Sequence, residues 1–299
     1  MPEGDYKVRR LIVLTLFISF GVAACGGGSQ RSRVLIQNKG SDTLVNVAQA
    51  WAEAYKEVNS QVAVAVSGGG SGTGISAMIN GTVDIANASR KMKSQEFDAA
   101  RANGVEPVEF VVGYDALAVY IHPNNPAESF SFEQLTSIYG EGGVAEKWSQ
   151  LQLEIPGCES DEIVRVSRQN NSGTFVYFKE AVLGDTREYK LGSRDMHGSK
   201  DVVDLVAHTP CAIGYSGLAY TTPEVKMPCI SKDADSPCVT PSSETAIDGS
   251  YPIARPLLMY TRGQPEGATK EYLDWILSDE GQCIIQSKGY APVRTVDCP

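Results

Sequence analysis

Four short segments of this 299-residue chain carry hydroxyl side chains in a pattern that could hold an anion. They read GSDTL (Gly40–Leu44), GSGTGI (Gly70–Ile75), ASR (Ala88–Arg90) and NSGTF (Asn171–Phe175). Each follows a run with strand character, and GSDTL, GSGTGI and NSGTF also lead into a helical pattern. At such a junction the first backbone N–H groups of the helix lack partners and the macrodipole is positive, so an anion is stabilised there. One Ser or Thr in that place is ordinarily a helix cap, worth about 1 kcal/mol. A repeated pattern asks for more than capping. Arg168, four residues before Ser172, adds a permanent cation able to hold two anion oxygens at once.

The glycines narrow the chemistry. VSGGGSGTGI (Val66–Ile75) holds five glycines and three hydroxyl residues without a charge. Linker composition is the first reading, but a strand precedes this loop and a helix follows it, so its glycines serve close backbone approach. A nucleotide loop would need GxxxxGK[ST], and no lysine follows here. A hydrolase, such as a secreted phosphatase, would need an activated nucleophile. Ser71 and Ser216 each lack the second glycine of GxSxG, and His122, His197 and His208 fall outside the four segments. No metal-ligand cluster and no CxxC pair occur, so no metal, cofactor or catalytic residue is expected.

The elements that must position these turns alternate between strand and helix. VLIQ (Val34–Gln37) reads as a first strand, and Leu44, Ala48, Trp51, Tyr55 and Val58 form a helical stripe behind the first turn. QVAVAV (Gln61–Val66) is the nearly continuous apolar run of a strand covered on both faces. A short helix through Ile75 and Met78 and a strand at Thr82–Ala88 follow. FVVGYDALAVYI (Phe110–Ile121) is long for one strand and reads as a crossing into a second domain, with YPIARPLLMYTRG (Tyr251–Gly263) as the return. Between them lie a strand at Ile163–Ser167, a helix over Thr174–Leu183, a helix near Asp201–Ala207 and a strand at Ala212–Ser216. The tail from Gly267 to Lys288 is helical, broken near Ser278 and Gly281. This alternation predicts an α/β fold.

The N-terminus has a different job. Lys7, Arg9 and Arg10 precede the apolar run Leu11–Ala24, which is too short for a permanent membrane span and fits a secretory signal over residues 1–24. VAAC before a Gly-rich stretch resembles a bacterial lipobox, which implies a lipidated Cys25 and a flexible tether over residues 25–33. Lipid on Cys25 leaves six of the seven cysteines: Cys158, Cys211, Cys229, Cys238, Cys283 and Cys298. In an oxidising compartment these predict up to three disulfides, with Cys229 and Cys238 placed to close a short ring and the other pairings open. The formal charge is −10, and residues 1–24 carry three basic and two acidic groups, which leaves −11 for the rest. That balance argues against nucleic acid and against an anionic membrane surface.

RQNNSGTF, together with GSDTL, GSGTGI, the A-S element, AIGYSGLAY and the run from Tyr251 to Gln282, resembles the periplasmic phosphate-binding proteins of high-affinity phosphate ABC transporters. The resemblance runs from Val34 to Arg294. It implies a type II periplasmic binding fold of Venus-flytrap form: two domains, each a mixed or parallel sheet flanked by helices, joined by two crossover hinge strands. Residues 34–115 plus 252–299 would form domain I and residues 116–251 domain II. It implies an exported, lipid-anchored monomer of the periplasm or cell envelope that binds inorganic phosphate between the domains and passes it to a membrane permease. Another oxyanion, such as sulfate, molybdate or tungstate, is the alternative ligand. Carried over by position, the phosphate-binding residues are Ser41, Asp42, Thr43, Leu44, Ser71, Ser89, Arg168, Ser172, Gly173 and Thr174. Two positions depart from the family. Ser89 stands where a carboxylate usually accepts the proton of phosphate, and Asn170 where an acid can pair with the arginine. Asp42, the acid within these turns, is the candidate substitute acceptor.

Overall fold

The computed structural model describes residues 33–298. The described residues begin with β1 (Val34–Gly40), α1 (Val45–Val58), β2 (Val62–Ser67), α2 (Ser71–Ile79), β3 (Ile85–Ala88) and α3 (Ser94–Ala102). β1 pairs in parallel with both β2 and β3. Parallel neighbours need a crossover, which the helices supply. α1 buries Val47, Ala48, Trp51 and Tyr55 along one stripe, and the Trp51 indole donates to the Gly281 carbonyl at 2.7 Å. Val58, the last residue of α1, lies beyond the packed part of that stripe and is exposed. The strand expected over Thr82–Ala88 forms only from Ile85.

β4 (Val108–Ile121) is one unbroken strand. After it come β5 (Ser129–Ser131), α4 (Phe132–Tyr139), β6 (Val164–Arg168), α5 (Gly173–Phe178), β7 (Arg194–Met196), α6 (Ser199–Ala207), β8 (Ala212–Gly217), β9 (Cys229–Ser231) and α7 (Ser243–Ile247). β10 (Ala254–Thr261), α8 (Gly267–Ile276) and α9 (Asp279–Ser287) complete the chain. The main sheet runs β2-β1-β3-β10-β4-β8-β6-β7, and β5 pairs separately with β9. β6 is parallel to β7 and β8, whereas β10 and β4 run antiparallel to each other at the centre. The two segments read as crossings are therefore the central strands of a mixed sheet.

Core packing changes along β4. Val112 packs with Ile36, Trp51, Ile85 and Leu257, whereas Leu258 and Tyr260 on β10 pack across the sheet with Ile75, Ile79 and Ala88. Further along β4, Leu117, Val119 and Ile121 face Tyr139, Trp148, Phe178 and Tyr215, and the alternate residues Ala118 and Tyr120 face Val166, Val202 and Val203. The two-residue period of the strand sends its side chains to both faces. The described residues nevertheless pack as one compact unit.

The helix expected over Thr174–Leu183 is α5 followed by a wider π turn at Lys179–Leu183. In the tail, the break falls at Leu277 and Ser278, where Ser278 caps α9, and Gly281 lies inside that helix. Three disulfides form: Cys158–Cys211, Cys229–Cys238 and Cys283–Cys298. The expected signal segment and the lipidated Cys25 lie outside the described residues. Among the described residues, no helix is long and apolar enough to cross a membrane.

Candidate functional site

The four turns meet. Ser41 and Thr43 follow β1, Ser71 opens α2, Ser89 follows β3, and Ser172 caps α5 by accepting from the Thr174 amide at 3.2 Å. The Ser41 hydroxyl donates to the Ser89 hydroxyl at 2.8 Å, and Ser89 lies 3.4 Å from the Ser71 hydroxyl. The Thr43 and Thr174 hydroxyls are 3.1 Å apart across 131 positions of sequence. Ser41, Thr43, Leu44, Ser71, Ser89, Arg168, Ser172, Gly173 and Thr174 are all buried. A buried hydroxyl without a partner is costly, so these side chains satisfy one another.

Glycine makes the approach possible. Gly70 has φ of 90°, and a Cβ there would come within 2.6 Å of the Asn171 carbonyl oxygen. That carbonyl accepts from the Gly72 amide at 3.1 Å, and the Asn171 side chain donates to the Gly69 carbonyl at 2.9 Å. The loop Gly68–Gly70 is thus clasped by the segment after β6. On the other side, a Cβ on Gly173 would collide with the Ser71 and Ser89 hydroxyls.

Arg168, the last residue of β6, donates from Nη2 to Asp42 Oδ2 at 2.9 Å and to the His197 carbonyl at 2.7 Å. Its Nη1 donates to the Ser199 hydroxyl at 3.0 Å and its Nε to the Met196 carbonyl at 3.3 Å. Burial pulls this guanidinium below its ordinary value, with the Asp42 charge opposing that shift. Asp42 has a second tie: its Oδ1 accepts from the Gly69 amide at 2.8 Å. Both of its oxygens are therefore engaged by this chain, and Asp42 links the first turn, the glycine loop and Arg168. Asn170 is exposed and takes no part in holding Arg168. The acid that pairs with Arg168 is Asp42.

Two buried residues join the cluster that the four turns did not announce. Arg255 on β10 donates from Nε and Nη2 to Asp115 Oδ2 on β4, at 3.0 and 2.8 Å. Its Nη1 reaches the Ser89 carbonyl at 3.2 Å, and its Nη2 reaches the Thr43 and Thr174 hydroxyls at 3.3 and 3.1 Å. Burial raises the Asp115 carboxyl above the usual range, against the pull of the Arg255 charge. Asp115 Oδ1 is buried with no hydrogen-bond partner. Tyr220 donates to the Asp42 carbonyl at 2.6 Å, and Tyr290 donates to the Thr43 carbonyl, so the first turn is also held from behind. Burial pushes the Tyr220 phenol up to about 12, so it stays a donor at neutral pH. A basic residue inside an apolar strand was the available signal for Arg255, since such a side chain needs a buried partner.

Ser216 is not a member of the hydroxyl cluster; it donates to the Ser199 carbonyl at 3.2 Å. The His197 ring lies 3.3 Å from Gln169, and the His208 ring contacts the Asp204 carbonyl, so neither touches a cluster hydroxyl. Chemically, the arrangement offers hydroxyl and amide donors, two guanidinium groups and no nucleophile–base pair.

The sequence pattern of the PBP superfamily domain matches residues 27–280. The chain is similar to the phosphate-binding protein PstS of Pseudomonas aeruginosa, with 30% identity over 96% of this chain and 95% of that protein. It is also similar to the phosphate-binding protein PstS of Bacillus subtilis, at 28% identity over 96% and 95% of the two chains. Its backbone resembles a chain described as a phosphate ABC transporter substrate-binding protein with bound phosphate from Clostridium perfringens. That likeness has a TM-score of 0.75 and 28% identity, and it covers 87% of this chain and all of the other. Sequence pattern, similarity along almost the whole length and backbone agree: the chain belongs to the PBP superfamily, in the family of the PstS phosphate-binding proteins.

Proposed function

We propose that this chain captures inorganic phosphate between two lobes and delivers it to the permease of an ABC transporter, turning over no substrate itself. The lobes are residues 34–115 with 252–299, and residues 116–251, joined by β4 and β10. The observation that carries the reading is the convergence of Ser41, Thr43, Ser71, Ser89, Ser172 and Thr174, contributed by four separate turns, beside Arg168 and Arg255. Hydroxyls, helix N-termini and fork-shaped cations suit the several oxygens of one small anion.

Binding is coupled to closure, because the donors come from both lobes and only the closed state offers them together. The contacts of Asp42 with Arg168 and of Asn171 with Gly69 and Gly72 belong to that closed state. A micromolar dissociation constant corresponds to about −8 kcal/mol, within reach of several charge-assisted hydrogen bonds after ordering costs. In this reading the protein is exported to the periplasm or cell envelope, held to the membrane through lipid on Cys25, and acts as a monomer.

Ser89 favours one variation, a site that tolerates other tetrahedral oxyanions, since its hydroxyl can donate to a fully deprotonated ligand where a carboxylate would repel it. Calorimetry on the lipid-free protein with phosphate, sulfate and molybdate tests both. Heat with phosphate alone is expected of a selective site, and heat with sulfate or molybdate as well if Ser89 admits them. Silence with phosphate beside a response to another oxyanion would replace the ligand.

A further inference from the structure

We propose that Arg255 is a positioning residue that turns the Thr43 and Thr174 hydroxyls into donors for the captured anion, and does so only while the two lobes are together. The inference rests on the phosphate-binding reading and assigns a role to a residue that contacts the site from beneath.

Hydrogen-bond accounting carries it. A threonine hydroxyl has one proton and two lone pairs, whereas a guanidinium has only donors. Arg255 Nη2 has two N–H groups. One is directed at Asp115 Oδ2 at 2.8 Å, and the other is shared between Thr43 Oγ1 at 3.3 Å and Thr174 Oγ1 at 3.1 Å. Both hydroxyls must therefore accept from Arg255, and their protons point away from it. In the structure the two oxygens are close enough for one threonine to donate to the other. An oxyanion beside them can take both protons, with each lone pair toward Arg255 still satisfied.

Geometry makes the fork rigid. Arg255 and Asp115 are direct register partners on β10 and β4, the two central antiparallel strands, and both side chains are fully buried. The guanidinium is oriented by backbone pairing and by two bonds to one carboxylate oxygen. Thr43 follows β1 and Thr174 lies in α5, so contact with both at once requires closure. Because Asp115 neutralises Arg255, the residue acts through direction and polarisation, not through an added net charge. Arg168 differs: its nitrogens serve Asp42, Ser199 and two carbonyls, and none reaches a threonine hydroxyl of the pair.

A double-mutant cycle on phosphate affinity tests the assignment. Removing Arg255 alone strands a buried carboxylate, so the first background is Arg255→Gln with Asp115→Asn, and Arg255→Lys is the second, which keeps the charge and loses the fork. Each is expected to weaken phosphate binding by roughly tenfold to a hundredfold. Thr174→Val should cost about tenfold in the wild type and less than threefold in either background, because its hydroxyl is no longer directed at the anion. A purely structural Arg255 would lower the melting temperature and leave the threonine effect intact, so additive losses overturn the proposal. Variants that bind phosphate within a factor of two of wild type also overturn it. If the wild type gives no heat with phosphate, it is the ligand reading that fails, and that result is distinct from an additive cycle in a phosphate binder.

Discussion

Asp42 and Arg168, separated by 126 positions, form a 2.9 Å ion pair that ties the first turn to the end of β6. Asp42 also holds the Gly69 amide, so one carboxylate links the first turn, the glycine loop and the arginine. In the proposed lobes, this pair exists only in the closed state. Asp42→Asn should therefore raise the phosphate dissociation constant about tenfold, since a loss of about 1.4 kcal/mol of closure energy is a factor of ten. Small-angle scattering at fixed phosphate should show a larger radius for the variant. Tighter binding would instead mean that Asp42 holds Arg168 away from the anion.

Gly173→Ala separates folding from binding. The residue opens α5 with ordinary helical φ, so alanine suits the local backbone and favours the helix by about 0.5–1 kcal/mol. Its methyl group would nevertheless collide with the Ser71 and Ser89 hydroxyls. Overpacking of this kind costs about 1–3 kcal/mol, but only when the turns are pressed together. The expected outcome is a ligand-free melting temperature that is not lowered, and a phosphate-induced rise in melting temperature that is reduced or lost.

Much of this site was legible because local chemistry announces it. The hydroxyl turns after β1, β2 and β6 each pair a strand pattern with a helix pattern, the turn after β3 follows a strand pattern, and the family resemblance put them in one place. Arg255 was not legible in the same way. It sits between Ala254 and Pro256 without a neighbouring hydroxyl, and its partner Asp115 is 140 positions away. Only antiparallel register brings the two side by side. The pairing of Arg168 with Asp42 was hidden for the same reason, since Asn170 is exposed and the carboxylate comes from another turn. Val58 and the π turn at Lys179–Leu183 show the complementary limit: periodicity marks a helix, but neighbouring elements decide where its buried stripe and regular hydrogen bonding end.

The disulfide Cys283–Cys298 closes a loop of 15 positions between α9 and the C-terminal tail. Loop-closure entropy for that length gives about 3 kcal/mol of stabilisation. Cys283 is half-buried and Cys298 exposed, whereas the hydroxyls of the cluster are buried. Replacing both cysteines with serine should lower the melting temperature by several degrees while phosphate affinity stays within a factor of two. Calorimetry and thermal unfolding on the same sample check both halves of that statement.

Glu96 gives the turn at Ser89 a pH dependence. Arg90, the residue after Ser89, donates to Glu96 Oε2 and Oε1 at 2.8 and 2.7 Å, and the Lys93 amide donates to Oε2 at 2.8 Å. Partial burial raises the carboxyl, but the bonds from Arg90 and from the Lys93 amide outweigh it, and the net direction is below the ordinary value of 4.5. The unfolded chain therefore binds this proton more readily than the folded one. The stabilisation is complete above the unfolded value and fades as pH falls through the lower folded value. Glu96→Gln should lose about 1–2 kcal/mol at pH 7, in line with charge-assisted hydrogen bonds to a mostly buried group. The gap between variant and wild type should narrow as the pH drops below the ordinary value of 4.5, as chemical denaturation across a pH series would reveal. A gap that persists unchanged at pH 3 would place the stabilisation in packing and not in the ionised carboxylate.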